Sequence, residues 1–279
     1  MKKILITGAN SYIGTSFMNW VCKWPDKYKV DSISVKTDEW KMKSFEGYDV
    51  VFHVAAIVHV KENDIDKYFK INRDLALDIA KKAKQEGVKQ FIFLSTMGVY
   101  GTETGHITKD TEARPKTPYA KSKYEAEKLL YEINDNNFKV AVLRPPIVYG
   151  KDCRGNYPRL ASMALKLPFF PDIKNQRSMI YIDNLSEFIR LIIDDCAGGF
   201  FFPQNRDYVC TSDLGCVIAQ IHKKKILMTK VFNPIIKILK TTTVKKVFGC
   251  LTYDFALSQY DKSYDTCSFL DSIKETEVK

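Results

Sequence analysis

A tyrosine and a lysine one helical turn apart, in Tyr119-Ala-Lys-Ser-Lys123, are the residues in this chain best suited to move a proton. Residues i and i+4 share a helix face, and Pro118 just before them suits the first position of a helix. A phenol has a pKa of about 10 and is a poor base at neutral pH. An ammonium beside it favours the phenolate. The pair therefore suits removal of a hydroxyl proton. A tyrosine and lysine at this spacing also occur on ordinary helix surfaces, so their neighbours decide. Phe91-Ile-Phe-Leu-Ser95-Thr96 is an apolar strand that ends in two hydroxyls. The C-terminal end of a strand is where an open parallel sheet presents its ligand site.

A second set of residues suits a phosphate. Thr7-Gly8-Ala9-Asn10-Ser11-Tyr12-Ile13-Gly14 follows the apolar run Lys3–Thr7 and leads straight into a helical pattern. A strand, a tight Gly turn and a helix N-terminus let the backbone approach a pyrophosphate and direct the helix dipole at it. Gly8, Asn10, Ser11, Tyr12, Ile13 and Gly14 are thus expected to cradle a dinucleotide. The middle glycine of the usual fingerprint is Ser11 here. The acidic ribose ligand expected roughly 20 residues past the turn is missing. Ser34, Val35 and Lys36 stand in that region, with Val35 in the cofactor set. Lys36 either pairs with a 2′-phosphate or is a surface lysine, which leaves NAD and NADP both open. A nicotinamide cation beside the phenol would favour the phenolate further and couple proton transfer to hydride transfer.

The elements that must hold these groups alternate. Strands are expected at Lys3–Thr7, Val30–Val35, Val50–Val54, Gln90–Ser95 and Val140–Leu143. Helices are expected at Tyr12–Lys23, Asp64–Glu86 and Tyr119–Asp135, with Gly87 a natural stop for the second. This is the signature of an α/β fold, a doubly wound parallel sheet of Rossmann type with helices on both faces. The stretch between Tyr12 and Val54 is short enough to lack one strand–helix unit. Nine of the ten prolines follow residue 114 and punctuate a loop-rich second half, with helical patterns at Asp183–Asp195 and Ser212–His222. The expected division is a dinucleotide-binding domain over 1–150, rejoined by 178–210, and a small irregular substrate cap within 151–279.

Composition sets outer bounds. The 279 residues are 45% hydrophobic and 27% charged, which fits a folded globular chain. Seven scattered cysteines, with no Cys-x-x-Cys, point to a reduced cytoplasmic protein without a disulfide framework or zinc site. The start, Met1 to Gly8, turns polar too soon for a signal peptide. No apolar run approaches the roughly 18 residues of a membrane span. Basic residues outnumber acidic ones 43 to 33, a net charge of +10 that favours an anionic partner.

The order of the motifs resembles the extended short-chain dehydrogenase/reductase family, in its nucleotide-sugar epimerase/dehydratase group. The resemblance rests on Thr7-Gly8…Gly14, His53-Val-Ala55-Ala56, Asn72, Ser95-Thr96…Val99-Tyr100-Gly101, Tyr119…Lys123 and Arg144-Pro-Pro-Ile-Val-Tyr149-Gly150, and covers nearly the whole chain. It implies Thr96, Tyr119 and Lys123 as the catalytic triad. Ala55, Ala56, Asn72, Ser95 and Pro146 would join the cofactor set, with Lys123 on the ribose. Thr96 and Tyr119 would also meet the substrate. Asn175-Gln-Arg177-Ser-Met-Ile-Tyr181 looks like the segment whose Arg contacts the substrate diphosphate, and Gly155-Asn156-Tyr157 like a substrate-backbone segment. A guanidinium suits that diphosphate because it forks onto phosphate oxygens. The resemblance also implies a homodimer.

Within the group, dehydratases carry an Asp-Glu pair after the catalytic threonine, where this chain has Met97-Gly98. Dehydration needs that extra acid and base. The remaining chemistry needs one acid/base group and one hydride. It is epimerisation at C4 of a nucleotide-diphosphate sugar through a 4-keto intermediate with bound NAD. NAD(P)H-dependent reduction of a 4-keto sugar nucleotide uses the same residues. A dinucleotide-binding sensor without turnover would need no Tyr-x-x-x-Lys pair. His53, His59, His106 and His222 lack metal-ligand spacing, and His53 reads as structural. Residues 223–246 hold eight lysines and no acid, among apolar residues at helical spacing. They read as an amphipathic helix that either covers the cap core or lies weakly on an anionic membrane; the even recurrence of apolar residues favours the core. No nucleic-acid recognition motif occurs.

Overall fold

The computed structural model describes residues 1–58, 64–231, 233–238 and 241–278. In chain order the first elements are β1 (Lys2–Thr7), α1 (Tyr12–Val21), β2 (Tyr28–Ile33), β3 (Val50–His53), α2 (Ile65–Phe69), α3 (Leu75–Gln85) and β4 (Gln90–Leu94). There follow β5 (Gly105–Ile107), α4 (Pro118–Glu132), β6 (Lys139–Leu143), β7 (Ile147–Tyr149), α5 (Asn156–Lys166), β8 (Phe169–Pro171) and β9 (Met179–Tyr181). The last are α6 (Ile182–Asp194), β10 (Gly199–Phe201), α7 (Thr211–Ile221), β11 (Leu227–Thr229), α8 (Asn233–Ile238), α9 (Thr242–Phe248), β12 (Leu251–Tyr253) and α10 (Phe269–Glu277).

One compact unit comprises Met1–Gly101, Glu112–Pro145 and Ser186–Phe202. Its sheet has six strands in the order β2-β1-β3-β4-β6-β10, and every neighbouring pair is parallel. The strands are apolar along their length because both faces are covered. Leu5, Val51, Phe91, Phe93, Val140 and Val142 pack one face against Ala76, Ile79, Ala80 and Ala83 of α3 and Ala126 and Leu130 of α4. On the other face Phe17 of α1 meets Phe52 edge-on at 5.5 Å between ring centroids.

The sheet stops at β2, where a doubly wound sheet of the usual order carries one more strand. A 3₁₀ turn at Asp38–Met42 takes that place and sends Trp40 into the core, with Phe45 following. The single helix expected over 64–86 is interrupted by a π turn at Lys70–Asp74 between α2 and α3. The turn places Asn72 inward, fully buried.

The second unit comprises Thr102–Thr111, Pro146–Leu185 and Pro203–Lys279. Three parallel two-stranded sheets, β5 with β12, β7 with β9 and β8 with β11, are its β-structure among the described residues. Residues 223–246 do not form the one amphipathic helix expected. β11 occupies part of the run, Pro234 opens α8 at its second residue, and Thr241 caps a separate α9. Val231 and Ile238 point outward, which removes them from any core-covering face. His59, Phe232, Leu239 and Lys240 lie outside the described residues. Among those described, no helix is long and apolar enough to cross a membrane.

Gly8 is one of the positions where the first unit tolerates no side chain. Its φ is +119°, and a Cβ there would lie 2.7 Å from the Ala55 nitrogen. That close approach joins the turn after β1 to the loop after β3. Gly8→Ala is expected to cost at least about 1–3 kcal/mol through backbone strain, with the clash against Ala55 added, read as a lower midpoint in thermal unfolding, whereas Gly47→Ala, at φ +78° but in open space, carries the strain alone and should cost less.

Candidate active site

Three strand ends and one helix assemble the chemistry. Thr96 follows β4, and its Oγ1 accepts the Gly98 N–H at 3.0 Å. α4 starts at Pro118, capped by Thr117, whose Oγ1 accepts from Ala120 N at 3.2 Å. The cap fixes Tyr119 in the first turn, where the Thr96 hydroxyl acts on the phenol. Lys123, one turn on, is buried below it. Its Nζ donates to the Leu94 carbonyl at 2.8 Å and lies 4.4 Å from the Phe93 ring centroid.

Burial sets the resting protonation here. It pushes the Tyr119 phenol up to about 12, while the Thr96 hydrogen bond pulls the other way. Burial pushes the Lys123 ammonium down to about 7, opposed by the nearby Glu127 carboxylate. His53, fully buried, is pushed down to about 3 by burial and by Lys123. Its Nδ1 lies 2.8 Å from Thr7 Oγ1, and its ring stacks on Phe91 and Phe93. It is a neutral core residue.

Behind these residues lies a buried ion pair. Arg144 Nε and Nη2 donate to Glu127 Oε1 and Oε2 at 3.0 and 2.6 Å, and Nη1 donates to Tyr100 Oη at 3.0 Å. Ser95 Oγ donates to the same carboxylate. Burial works against the Arg144 charge, and Glu127 more than offsets it, raising the guanidinium pKa. The signal for Glu127 was present in the sequence as the next residue after Tyr119 and Lys123 on the same helical row, yet only the structure shows its partner.

The cofactor-set residues divide by what their polar atoms do. In the Gly turn, the Gly8 and Ala9 N–H groups both donate to Ile33 O at 3.0 Å. Asn10 takes a left-handed conformation at φ 66°. Ser11, standing for the middle glycine, caps α1 by accepting Gly14 N at 3.1 Å. Gly14 is required for a different reason: a Cβ there would meet Ser11 Oγ at 2.6 Å and Ile6 at 3.0 Å. No acidic residue occupies the first turn of α1, so its positive end faces no carboxylate of its own. The turn thus fits a dinucleotide pyrophosphate. Tyr12 and Ile13 open α1, and Val35 lies just past β2. Ala55 is held by its N–H on Thr7 O at 3.0 Å, and Ala56 beside it is exposed.

Asn72 and Ser95 spend their polar atoms inside the protein. The Asn72 amide accepts from Ile57 N at 2.9 Å and donates to Ile57 O and Ser122 Oγ at 3.0 and 3.1 Å. It holds the loop that carries Ala55 and Ala56. Pro146, Asn156 and Arg177 belong to the second unit. Pro146 is buried, and Asn156 is exposed at the start of α5. Arg177 is buried, not on a surface. Its Nη1 donates to Lys245 O and Gly249 O at 3.2 and 2.9 Å, at the end of α9, while its buried Nε has no hydrogen-bond partner among the described residues.

Two outcomes follow from the buried charges. Glu127→Ala leaves the Arg144 guanidinium without its counter-charge and is expected to cost about 3–5 kcal/mol in denaturant unfolding. The double change Glu127→Leu with Arg144→Met should cost less than the single one. For Lys123 the folded pKa of about 7 lies below the ordinary 10.5, so the unfolded chain binds the extra proton between those values. Ligand-free stability is therefore expected to rise with pH across that window. Chemical denaturation as a function of pH should show that rise flattened in Lys123→Met.

Comparison with known proteins places these observations. The model of the NAD dependent epimerase/dehydratase family matches residues 4–210. The UDP-glucose 4-epimerase of Vibrio cholerae is 32% identical over 223 residues, covering 69% of this chain and 67% of that protein. The N-acetyl-alpha-D-glucosaminyl-diphospho-ditrans,octacis-undecaprenol 4-epimerase of Escherichia coli O157:H7 is 25% identical over 214 residues, 71% of this chain and 65% of that protein. The chain thus spans about two thirds of the length of these curated relatives. In fold, it is similar to the UDP-glucuronic acid 4-epimerase from Bacillus cereus in complex with NAD, with a TM-score of 0.77, 21% identity, and coverage of 99% of this chain and 97% of that one.

Proposed function

The chain belongs to the NAD-dependent epimerase/dehydratase family, and on that premise we propose that it inverts C4 of a nucleotide-diphosphate sugar through a transient 4-keto sugar. The observation that carries this reading is the Tyr119 phenol beside the Thr96 hydroxyl, with Lys123 buried one turn on. It offers one proton-transfer group and one hydroxyl to hold the same oxygen. Met97 and Gly98 follow Thr96 directly, and neither supplies the further acid or base that loss of water demands. The Vibrio cholerae relative carries out a 4-epimerisation by name, as does the Escherichia coli one.

Tyr119 takes the proton of the sugar 4-hydroxyl and Thr96 bonds the same oxygen. NAD, when bound, would supply the hydride acceptor and donor that the change at C4 requires. Tyr119 then gives its proton back to the 4-oxygen. Lys123, tied to Leu94 O, keeps a positive charge within reach of the phenol and favours its anion when protonated. Gly8, Gly14 and the start of α1 hold the cofactor pyrophosphate, and the Ala55–Ala56 loop, braced by Asn72, walls the site. For the substrate diphosphate the reading rests on Arg177, whose buried Nε is unspent among the described residues.

Tyr119→Phe removes the proton-transfer group and keeps the ring. Turnover of UDP-glucose or UDP-N-acetylglucosamine to the 4-epimer is expected to fall about 10²–10⁴-fold, with cofactor still copurifying. Wild-type activity in that variant overturns the assignment. Free exchange of the cofactor, with one reduced equivalent consumed per turnover, replaces epimerase by 4-keto-sugar reductase.

A further inference from the structure

The second unit carries an apolar face ringed by lysines that the reaction does not use. In the parallel pair of β8 and β11, Leu227 stands opposite Phe169 and Met228 opposite Phe170. Phe170 is fully buried, so strand alternation turns Phe169 and Leu227 outward; they are 49% and 60% exposed. Val231, just past β11, is 75% exposed, and Ile238, at the end of α8, is 77% exposed. Asn233 Nδ2 donates to Asp172 O at 2.8 Å, which fastens the start of α8 beside the end of β8. A hollow of about 550 Å³ adjoins Leu227, lined by Gln220, Lys224, Lys225 and Ile226 among others.

The charge around this face is predominantly positive. Lys223, Lys225 and Lys230 are exposed, and the run 223–246 contains no acid. The nearby carboxylates are Asp172, 4.0 Å from Lys230 Nζ and 3.9 Å from Lys174 Nζ, and Asp213, 3.7 Å from Lys174 Nζ. Lys224 turns inward and donates to the carbonyls of Leu165 and Leu167 at the end of α5. A second copy of the chain would bring the same lysines onto this face, since a two-fold interface pairs a patch with itself. A nucleic acid would satisfy the lysines and leave the four apolar side chains without a partner. A bilayer satisfies both, because apolar insertion and lysine attraction to anionic lipid add together.

We infer that this face docks the protein peripherally on an anionic lipid bilayer. Phe169, Leu227, Val231 and Ile238 enter the headgroup boundary, and Lys225 and Lys230 meet lipid phosphates there. None of these residues belongs to the catalytic set, so the inference stands or falls apart from the reaction.

The full chain should float with vesicles of phosphatidylcholine and phosphatidylglycerol, bind vesicles of phosphatidylcholine alone far less, and lose binding as salt rises. Leu227→Gln should weaken partitioning about tenfold, and Lys225→Gln and Lys230→Gln about fivefold each. In all three variants the melting temperature and turnover of a soluble nucleotide sugar should stay at wild-type values. Equal binding to both vesicle types overturns the inference, as does wild-type partitioning by folded Leu227→Gln. Sedimentation showing that Leu227→Gln converts a dimer to a monomer, with vesicle binding intact, makes the face a self-interface instead.

Discussion

The first unit is organised around one buried carboxylate. Glu127 lies on α4, Arg144 directly follows β6, Ser95 directly follows β4 and Tyr100 sits in the turn that follows Thr96. Burying an ion pair is expensive, and the expense is offset only when the remaining donors and acceptors are satisfied. Here the guanidinium uses three nitrogens on two partners, and the carboxylate takes the serine as well. The arrangement accepts one geometry among α4, β4 and β6. Those elements carry Tyr119, Lys123 and Thr96. Placement of the reactive groups thus follows from satisfying a charge well below them.

Much of this unit was legible because its strands and helices are long enough to show a period. β1, β3, β4 and β6 are apolar runs of four to six residues bounded by turns, and α4 announced itself by Pro118 and its helical row. Boundaries shifted by one to three residues, as at β2, where pairing with β1 extends the strand back to Tyr28. The π turn at Lys70–Asp74 was not legible, because its cause is the demand of Asn72 for Ile57 and Ser122, far away in sequence. The second unit was read least well. Strands of three residues such as β8 and β11 leave no period to detect, and their pairing is set by partners more than fifty residues apart.

The residues of the site were easier to find than their roles. Tyr119 and Lys123 share one face of α4 as their spacing implied, and Thr96, which only the resemblance joined to them, follows β4 beside that helix. Ser95 and Asn72, read from the same motifs as cofactor contacts, act as braces within the protein, because a buried polar side chain must find a partner. Arg177 shows the same rule in the second unit. Its guanidinium is anchored by backbone carbonyls through Nη1, which fixes the side chain while leaving Nε unspent.

Burial also makes the site conditional. With the phenol near 12 and the ammonium near 7, the ligand-free protein at neutral pH holds a protonated tyrosine and a lysine close to losing its charge. Neither is the form that removes a proton. The same desolvation that disfavours phenolate at rest makes it respond strongly to any charge that arrives, since Coulomb energies grow as the effective dielectric falls. A cation placed beside Tyr119 lowers its pKa far more here than it would in water. A reactive base therefore forms only when the site is filled, which confines the chemistry to bound substrate. The basic surface of the second unit obeys the opposite rule: its lysines are exposed, screened and additive, suited to a diffuse anionic partner. The same residue type thus serves two purposes, separated by how much water each is allowed.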